Sequence, residues 1–227
     1  MDRHFDEQLA ALKRQLLKMS ALAESMIADA VAVLVQRDAA VAPLIRQREE
    51  AVNQMQLDID EACLTLIALQ QPAAGDLRFI LGAVKTNAEL ERLADQAINI
   101  LDKAERLLQQ LPLKPFIIIP EMALVARGML KDSLHAFVNL DIEKARNVLT
   151  RDDQVDAMKA KITVELAEFM TRDPSTVDRA LALVLVARNL ERVGDHATNI
   201  AENAIFVAEG RDIRHHAESK PKPAGAD

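Results

Sequence analysis

The segment LERLADQAINI at residues 90–100 returns as LERVGDHATNI at residues 190–200. In both copies the apolar residues alternate between three- and four-residue spacing, which is the core spacing of a helix in a bundle. A second pair of segments, REEAVNQM at 48–55 and RDDQVDAM at 151–158, repeats at an offset of 103 instead of 100. An internal repeat of this length predicts two structural units with the same helix order.

Six stretches of the chain carry apolar residues at the spacing of amphipathic helices. Short breaks that contain proline, glycine or polar residues separate them. The pattern predicts helices over residues 5–36, 40–68, 74–109, 121–139, 142–170 and 175–208. Residues 111–120 (LPLKPFIIIP) contain three prolines and are not expected to form regular helix.

The sequence therefore predicts an all-α fold of two tandem three-helix bundles related by the internal repeat. We expect the first repeat at residues 1–110, a proline-rich connection at 111–120 and the second repeat at 121–210. Residues 211–227 are polar and end in KPKPAGAD, so a disordered tail is expected there.

Composition narrows the possible functions. The 227 residues include 28 Lys and Arg against 35 Asp and Glu, and the formal charge of -7 disfavours direct binding to nucleic acid. The single cysteine, Cys63, excludes an intrachain disulfide, and the N-terminus has no apolar signal-peptide core. The longest uninterrupted apolar run, at 180–187, has eight residues, against roughly 20 for a membrane-spanning helix. We expect a cytoplasmic protein that reaches the membrane only through partners.

Each half carries oxygen-bearing side chains on its second and third helices. On each helix they are spaced by four residues, which puts them on one face of that helix. The second helix supplies one pair and the third helix another pair, followed one turn later by an asparagine, and we call each set of five a row. The N-terminal row is Glu49, Asn53, Glu91, Asp95 and Asn99, and the C-terminal row is Asp152, Asp156, Glu191, Asp195 and Asn199. Carboxylate and amide oxygens without thiolates suit hard cations. The rows therefore predict sites for Mg²⁺, Mn²⁺ or iron.

Other interpretations of the rows stay open. An exposed acidic face paired with Arg92 and Arg192 would need no metal. A metal-storage bundle or a ferritin-like di-iron oxidase would also use carboxylates, but the oxidase sites need Glu-x-x-His pairs. Here His196 follows Glu191 by five residues, and Gln96 stands at the matching position of the first repeat. We therefore expect no enzyme, with a metal-dependent carboxylate-bundle enzyme or a storage bundle as the alternative.

No other motif indicates catalysis. Cys63 lies among apolar residues without a base near it in the sequence, which is typical of an inert packed cysteine. A glycine-rich phosphate loop of the GxxxxGK[ST] kind is absent from the sequence. His215 and His216, near the C-terminus, are given no role.

Several segments resemble the PhoU family. They are the duplicated ELERLAD at 89–95 and NLERVGD at 189–195, IDEAC at 59–63, QPAAGDLR at 71–78, and REEAVNQM with its echo RDDQVDAM. The resemblance extends over roughly residues 5–212 and preserves the order of the repeats. It implies a fold of two similar three-helix bundles, often present as a homodimer.

The resemblance also implies a function. PhoU-type proteins are negative regulators of the phosphate regulon and of phosphate uptake, acting as adaptors between the phosphate ABC transporter and a sensor histidine kinase. The implied partners are the transporter ATPase PstB and the kinase PhoR.

Family members can carry metal on E(D)xxxD motifs. These motifs correspond here to Glu91 with Asp95, Asp152 with Asp156, and Glu191 with Asp195. The chain departs from the pattern where Asn53 follows Glu49, and where Ala94 replaces the glycine seen as Gly194. We therefore expect weaker metal binding, or none, in the N-terminal half.

Overall fold

The structure, a computed structural model, describes residues 3–113 and 117–213. Within these ranges it contains six α-helices, one short 3₁₀ helix and no strand. The helices are α1 (Arg3–Gln36), α2 (Ala42–Gln70), α3 (Ala74–Leu108), α4 (Ile118–Asn139), α5 (Ile142–Arg172) and α6 (Val177–Glu209). The 3₁₀ helix, Pro174–Thr176, leads into α6. The prediction of an all-α fold with six helices is confirmed.

The largest difference from the predicted boundaries lies at the start of α4. This helix begins at Ile118, whereas the sequence pattern predicted residue 121, so that residues 118–120 of the expected proline-rich connection are helical. The prediction was wrong because Pro120 occupies the first turn. There a backbone N–H has no partner within the helix, and a proline removes no hydrogen bond.

The remaining boundaries follow from local signals. Pro43 lies in the first turn of α2, and Gln71 ends that helix in a left-handed conformation with φ of 45°. The Asp141 side chain accepts a hydrogen bond of 3.0 Å from the Lys144 amide and so caps the start of α5. Most of the expected disordered tail, residues 214–227, lies outside the described residues together with His215 and His216.

The first three helices pack on one another, and so do the last three. The two bundles also pack against each other, α3 on α6 and α1 on α4, and the apolar residues of both form one continuous core. Two contacts fix the direction of α3 and α6. Arg78 near the start of α3 meets Val207 near the end of α6, while Arg106 near the end of α3 meets Asp178 near the start of α6. The two helices are therefore antiparallel along their length.

The internal repeat is preserved in the pattern of burial. The core residues of α3, Leu90, Leu93, Ala97 and Ile100, are fully buried, and so are their counterparts in α6, Leu190, Val193, Ala197 and Ile200. Residues 91–100 and 191–200 match position by position in buried, half-buried and exposed side chains. Equivalent side chains in the two halves can therefore be compared directly.

The helix α1 is long and apolar enough, by length and composition, to cross a membrane. Its most apolar window has a mean hydropathy of 1.4, and half of that window is buried inside the fold. The helix packs against α2, α3 and α4 and supplies core residues such as Leu16, Met19 and Met26. These contacts are typical of a core helix that reaches the same hydropathy without a membrane.

Candidate carboxylate site

Matching ion pairs hold the second helix of each half against the first. Arg48 on α2 pairs with Asp29 on α1. Arg151 on α5 pairs with Asp132 on α4 at 2.7 Å. Both pairs obey the offset of 103 that the sequence repeat contains. Each arginine precedes the first acidic residue of its row, so the ion pairs fix how the second helix presents that row.

The C-terminal row brings carboxylates of α5 and α6 together. Burial, followed by the charges of Asp195, Asp156 and other acidic neighbours, raises the pKa of Asp152 to about 6. Burial and the charge of Glu191 also raise the pKa of Asp195. The backbone of α6 passes close to this carboxylate, because a Cβ atom added at Gly194 would be in van der Waals contact with Asp152 Oδ1, at 3.4 Å. Asp152, Asp156, Glu191 and Asp195 therefore lie close enough to affect one another's ionisation.

A lysine lies inside the same row. Lys159 Nζ is 2.6 Å from Glu191 Oε1 and 3.5 Å from Asp156 Oδ1, so that it bridges α5 and α6. The hydrogen bond to Glu191 raises the pKa of Lys159. The ammonium charge also opposes the upward shift at Asp195. Lys159 was not among the site residues predicted from the sequence, although its position three residues after Asp156 was a usable signal.

The N-terminal row has a different composition. Burial, then the charge of Asp95, raises the pKa of Glu91, and Glu49 contributes in the same direction. Asn53 is exposed, and Gln56 stands at the position equivalent to Lys159. Among the described residues, no ion pair neutralises Glu49, Glu91 or Asp95. This row therefore consists of three acidic groups without a bridging cation.

The two arginines that the sequence suggested as countercharges do not lie between the carboxylates of the rows. Arg92 pairs with Glu89 at 3.2 Å, on the α3 turn before the row, and Arg192 is exposed. In the C-terminal row the countercharge is Lys159. Asn199 donates a hydrogen bond to Glu89 Oε2 at 3.2 Å, which turns it toward α3, and Asn99 is half-buried on α3. The rows are therefore formed mainly by the second and third helices' acidic residues.

Metal binding at the rows stays a prediction. In the parts of the chain that the structure describes, no group of three or more His, Cys, Asp or Glu side chains has an arrangement ready to hold an ion. The donor set of the N-terminal row fits a hard cation, because its carboxylates repel one another without an ammonium between them. The donor set of the C-terminal row fits less well, because Lys159 occupies the space between Glu191 and Asp156.

A buried polar contact also joins the two bundles. His196 of α6 is buried, and its Nδ1 lies 2.6 Å from Glu89 Oε2 on α3. Burial alone would raise the pKa of Glu89, but hydrogen bonds from His196 and Asn199 hold it below its usual range. In the internal repeat, Gln96 is the counterpart of His196 and Asn189 is the counterpart of Glu89. The antiparallel register that pairs Glu89 with His196 therefore also places Gln96 opposite Asn189. Sequence analysis could not find this pair without that register.

The sequence and the fold are similar to those of known proteins of one family. The family model described as the PhoU domain matches twice, at residues 16–104 and 119–204. A phosphate-specific transport system accessory protein PhoU homolog from Pseudomonas putida is 35% identical over 217 residues, covering 95% of this chain and 84% of that protein. A homolog of the same name from Caulobacter vibrioides strain NA1000 / CB15N is 37% identical over 212 residues, covering 93% and 92%.

Solved structures agree with the family match. The crystal structure of PhoU from Pseudomonas aeruginosa superposes with a TM-score of 0.87 at 33% identity, covering 91% of this chain and 100% of that chain. The phosphate transport system regulatory protein PhoU from Streptococcus pneumoniae superposes with a TM-score of 0.84 at 27% identity, covering 92% and 99%. With two copies of the domain and relatives that match along nearly their whole length, this chain belongs to the PhoU family.

Proposed function

We propose that this chain is an accessory protein of phosphate-specific transport that regulates phosphate uptake and represses the phosphate regulon. The observation that carries the proposal is the near-complete match to accessory proteins of that name, with both repeats present. In the proposal it acts in the cytoplasm as an adaptor between the transporter ATPase PstB and the sensor kinase PhoR. A homodimer, which the resemblance also implies, is part of the same proposal.

The proposed role is one of binding and not of catalysis. A cysteine nucleophile needs a thiolate, and burial raises the pKa of Cys63 to about 12. His196, which is the buried histidine of the described residues, is held by Glu89 at the interface between the bundles. A regulatory protein of this kind acts by favouring one conformation of its partners. The carboxylate rows would then serve as binding surfaces.

We also propose that the rows bind a hard cation, Mg²⁺, Mn²⁺ or iron. The upward pKa shifts of Glu91 and Asp152 support this proposal, because a nearby positive charge would relieve the repulsion between their row's carboxylates. Bound metal would supply positive charge and order the row. The residues that would hold it are the acidic members of each row.

Deletion of the gene in its own host, with a phosphatase reporter in phosphate-rich medium, tests the regulatory proposal. We expect the reporter to be derepressed and repression to return with the wild-type gene. A Glu91→Gln, Glu191→Gln variant, present at wild-type protein level, should restore repression only in part if the rows serve regulation. Repression that persists after the deletion would contradict the regulatory proposal, and full restoration by the variant would contradict the role of the rows.

A phosphate-dependent pull-down tests the partners. Tagged protein should retain PstB and PhoR from membranes of phosphate-replete cells, and a His216→Ala variant should do the same as a matched control. Absence of both partners at high and low phosphate would contradict the adaptor mechanism while leaving the regulatory result intact.

A further inference from the structure

The two rows also differ in whether a positively charged side chain lies among their carboxylates. Lys159 stands where the internal repeat has Gln56 in the first half. The positions are equivalent, because residues 151–158 align with residues 48–55 at an offset of 103. Both side chains are half-buried on the face of the second helix that meets the third helix. This difference between the repeats puts an ammonium group into the C-terminal row and a neutral amide beside the N-terminal row.

The position of the ammonium group resembles that of a bound cation. Its Nζ atom donates to Glu191 Oε1 at 2.6 Å on α6 and lies 3.5 Å from Asp156 Oδ1 on α5. An ammonium carries three donors, so it can serve carboxylates on two helices at once. Charge-assisted hydrogen bonds of this length are among the strong ones in proteins. Lys159 therefore joins α5 to α6 in the way that a shared metal ion would.

We propose that Lys159 is the resident counterion of the C-terminal row, taking the place of a metal ion and weakening divalent-cation binding in that half. A cation coordinated by Glu191 and Asp156 would have to displace the ammonium group, since both positive charges would occupy the same gap. The lysine side chain is 34% exposed, so it can swing into solvent, and the competition is partial. The inference rests on the proposal that the rows can bind a hard cation. It predicts weaker metal binding in the C-terminal half, whereas Asn53 led us to expect weaker binding in the N-terminal half.

Manganese binding to the full-length protein tests the inference. The probe is Mn²⁺ alone, measured by titration calorimetry and by the electron paramagnetic resonance signal of free Mn²⁺. Breaking a partly exposed ion pair of this kind costs up to about 1 kcal/mol, which corresponds to about a fivefold change in affinity. We therefore expect Lys159→Gln to bind Mn²⁺ at the C-terminal row about fivefold more tightly than the wild type.

Two further variants test whether loss of the positive charge causes the tighter Mn²⁺ binding and whether that binding occurs at the C-terminal row. Lys159→Arg keeps the positive charge and should bind Mn²⁺ as the wild type does. Adding Glu191→Gln to Lys159→Gln should abolish the gain, because it removes a carboxylate of the C-terminal row. Circular dichroism checks that each variant is folded. As a second readout, Mn²⁺ should raise the melting temperature of Lys159→Gln more than that of Lys159→Arg.

The outcomes separate this inference from the proposal on which it rests. Tighter binding by Lys159→Gln alone supports it, even if the wild type binds no Mn²⁺, in which case metal binding by the wild type is the part that fails. Equal affinities for the wild type and Lys159→Gln would overturn it. So would a gain in Lys159→Arg, or a gain in Lys159→Gln that persists after Glu191→Gln is added.

Discussion

The two halves of the molecule have the same helix order, equivalent buried core positions and matching ion pairs, but different charged side chains in their carboxylate rows. The N-terminal row has Asn53 and Gln56 where the C-terminal row has Asp156 and Lys159. The C-terminal row thus contains one more acidic and one more basic side chain, and these two interact with each other in the Lys159 bridge. The comparison teaches that a repeat can preserve its packing while its two polar faces diverge.

The strongest test of the comparison addresses the contact between the bundles. Gly82 of α3 lies where an added Cβ would be 2.6 Å from Val207 Cγ2 and 3.0 Å from Phe137, whereas the repeat has Ala182 at the equivalent place. Gly82→Ala should therefore lower the free energy of unfolding by about 2 kcal/mol through overpacking. Urea unfolding measures this.

Gly75→Ala is the matched control, because a Cβ there meets nothing within 4 Å. It should leave the stability unchanged or slightly raised, since alanine favours helix. A Gly82→Ala protein as stable as the control would contradict the close approach of α3 to α6.

The next test addresses the polar pair at the same interface. Glu89→Ala leaves the buried His196 without its acceptor and should lower the free energy of unfolding by about 2 kcal/mol. Asn189→Ala, at the equivalent position of α6, removes no charge and should cost less. Chemical denaturation of both variants at pH 7 measures the difference. Equal losses in the free energy of unfolding would contradict the expected asymmetry between the two sides of the interface.

The pH dependence of stability tests the repulsion between carboxylates in both rows. Because the pKa of Asp152 is raised to about 6, the folded protein binds a proton there at pH values where the unfolded chain has already lost it. This contribution is present below the unfolded pKa and is lost as pH rises through about 6. Asp152→Asn should therefore stabilise the metal-free protein at pH 8, by about 1 kcal/mol after allowance for solvent screening, and not at pH 4.

Glu91→Gln is the comparison in the other half. Burial and Asp95 raise its pKa as well, so the substitution should stabilise in the same direction. Thermal unfolding of both variants with chelator, across pH 4 to 8, provides the measurement. A gain for Asp152→Asn that does not shrink on acidification would show that charge repulsion is not its cause.

The smallest expected effect concerns the matching ion pairs. Arg151 Nη2 also donates to the Val125 carbonyl at 3.2 Å and packs over Gly128, where an added Cβ would be 2.6 Å away. Arg151→Met should therefore cost about 0.5 kcal/mol more than Arg48→Met. Parallel urea titrations measure the difference, and a larger loss for Arg48→Met would reverse the order.

Much of the fold could be predicted because the apolar spacing is itself the packing pattern. This spacing predicts a bundle helix at Leu90, Leu93, Ala97 and Ile100, and a second bundle helix at their counterparts in α6. Pro120 misled the boundary prediction, because a proline breaks a helix interior but fits a first turn. The distinction depends on where the helix starts, which the residue type alone does not determine.

The candidate site was predictable only within each half. Spacing along one helix placed Glu191 beside Asp195, and the expectation that the second and third helices are neighbours associated both with Asp152. The Lys159 bridge needs the rotation of α5 relative to α6, and the pair of Glu89 with His196 needs the antiparallel register of α3 and α6. Such contacts depend on how helices meet, and composition and periodicity carry little information on that geometry.

The position of His196 gives the two halves a common electrostatic neighbour. The electrostatic effect of His196 opposes the upward pKa shift of Glu91 in one row and that of Asp195 in the other. One side chain at the contact between α3 and α6 therefore acts on carboxylates of both bundles.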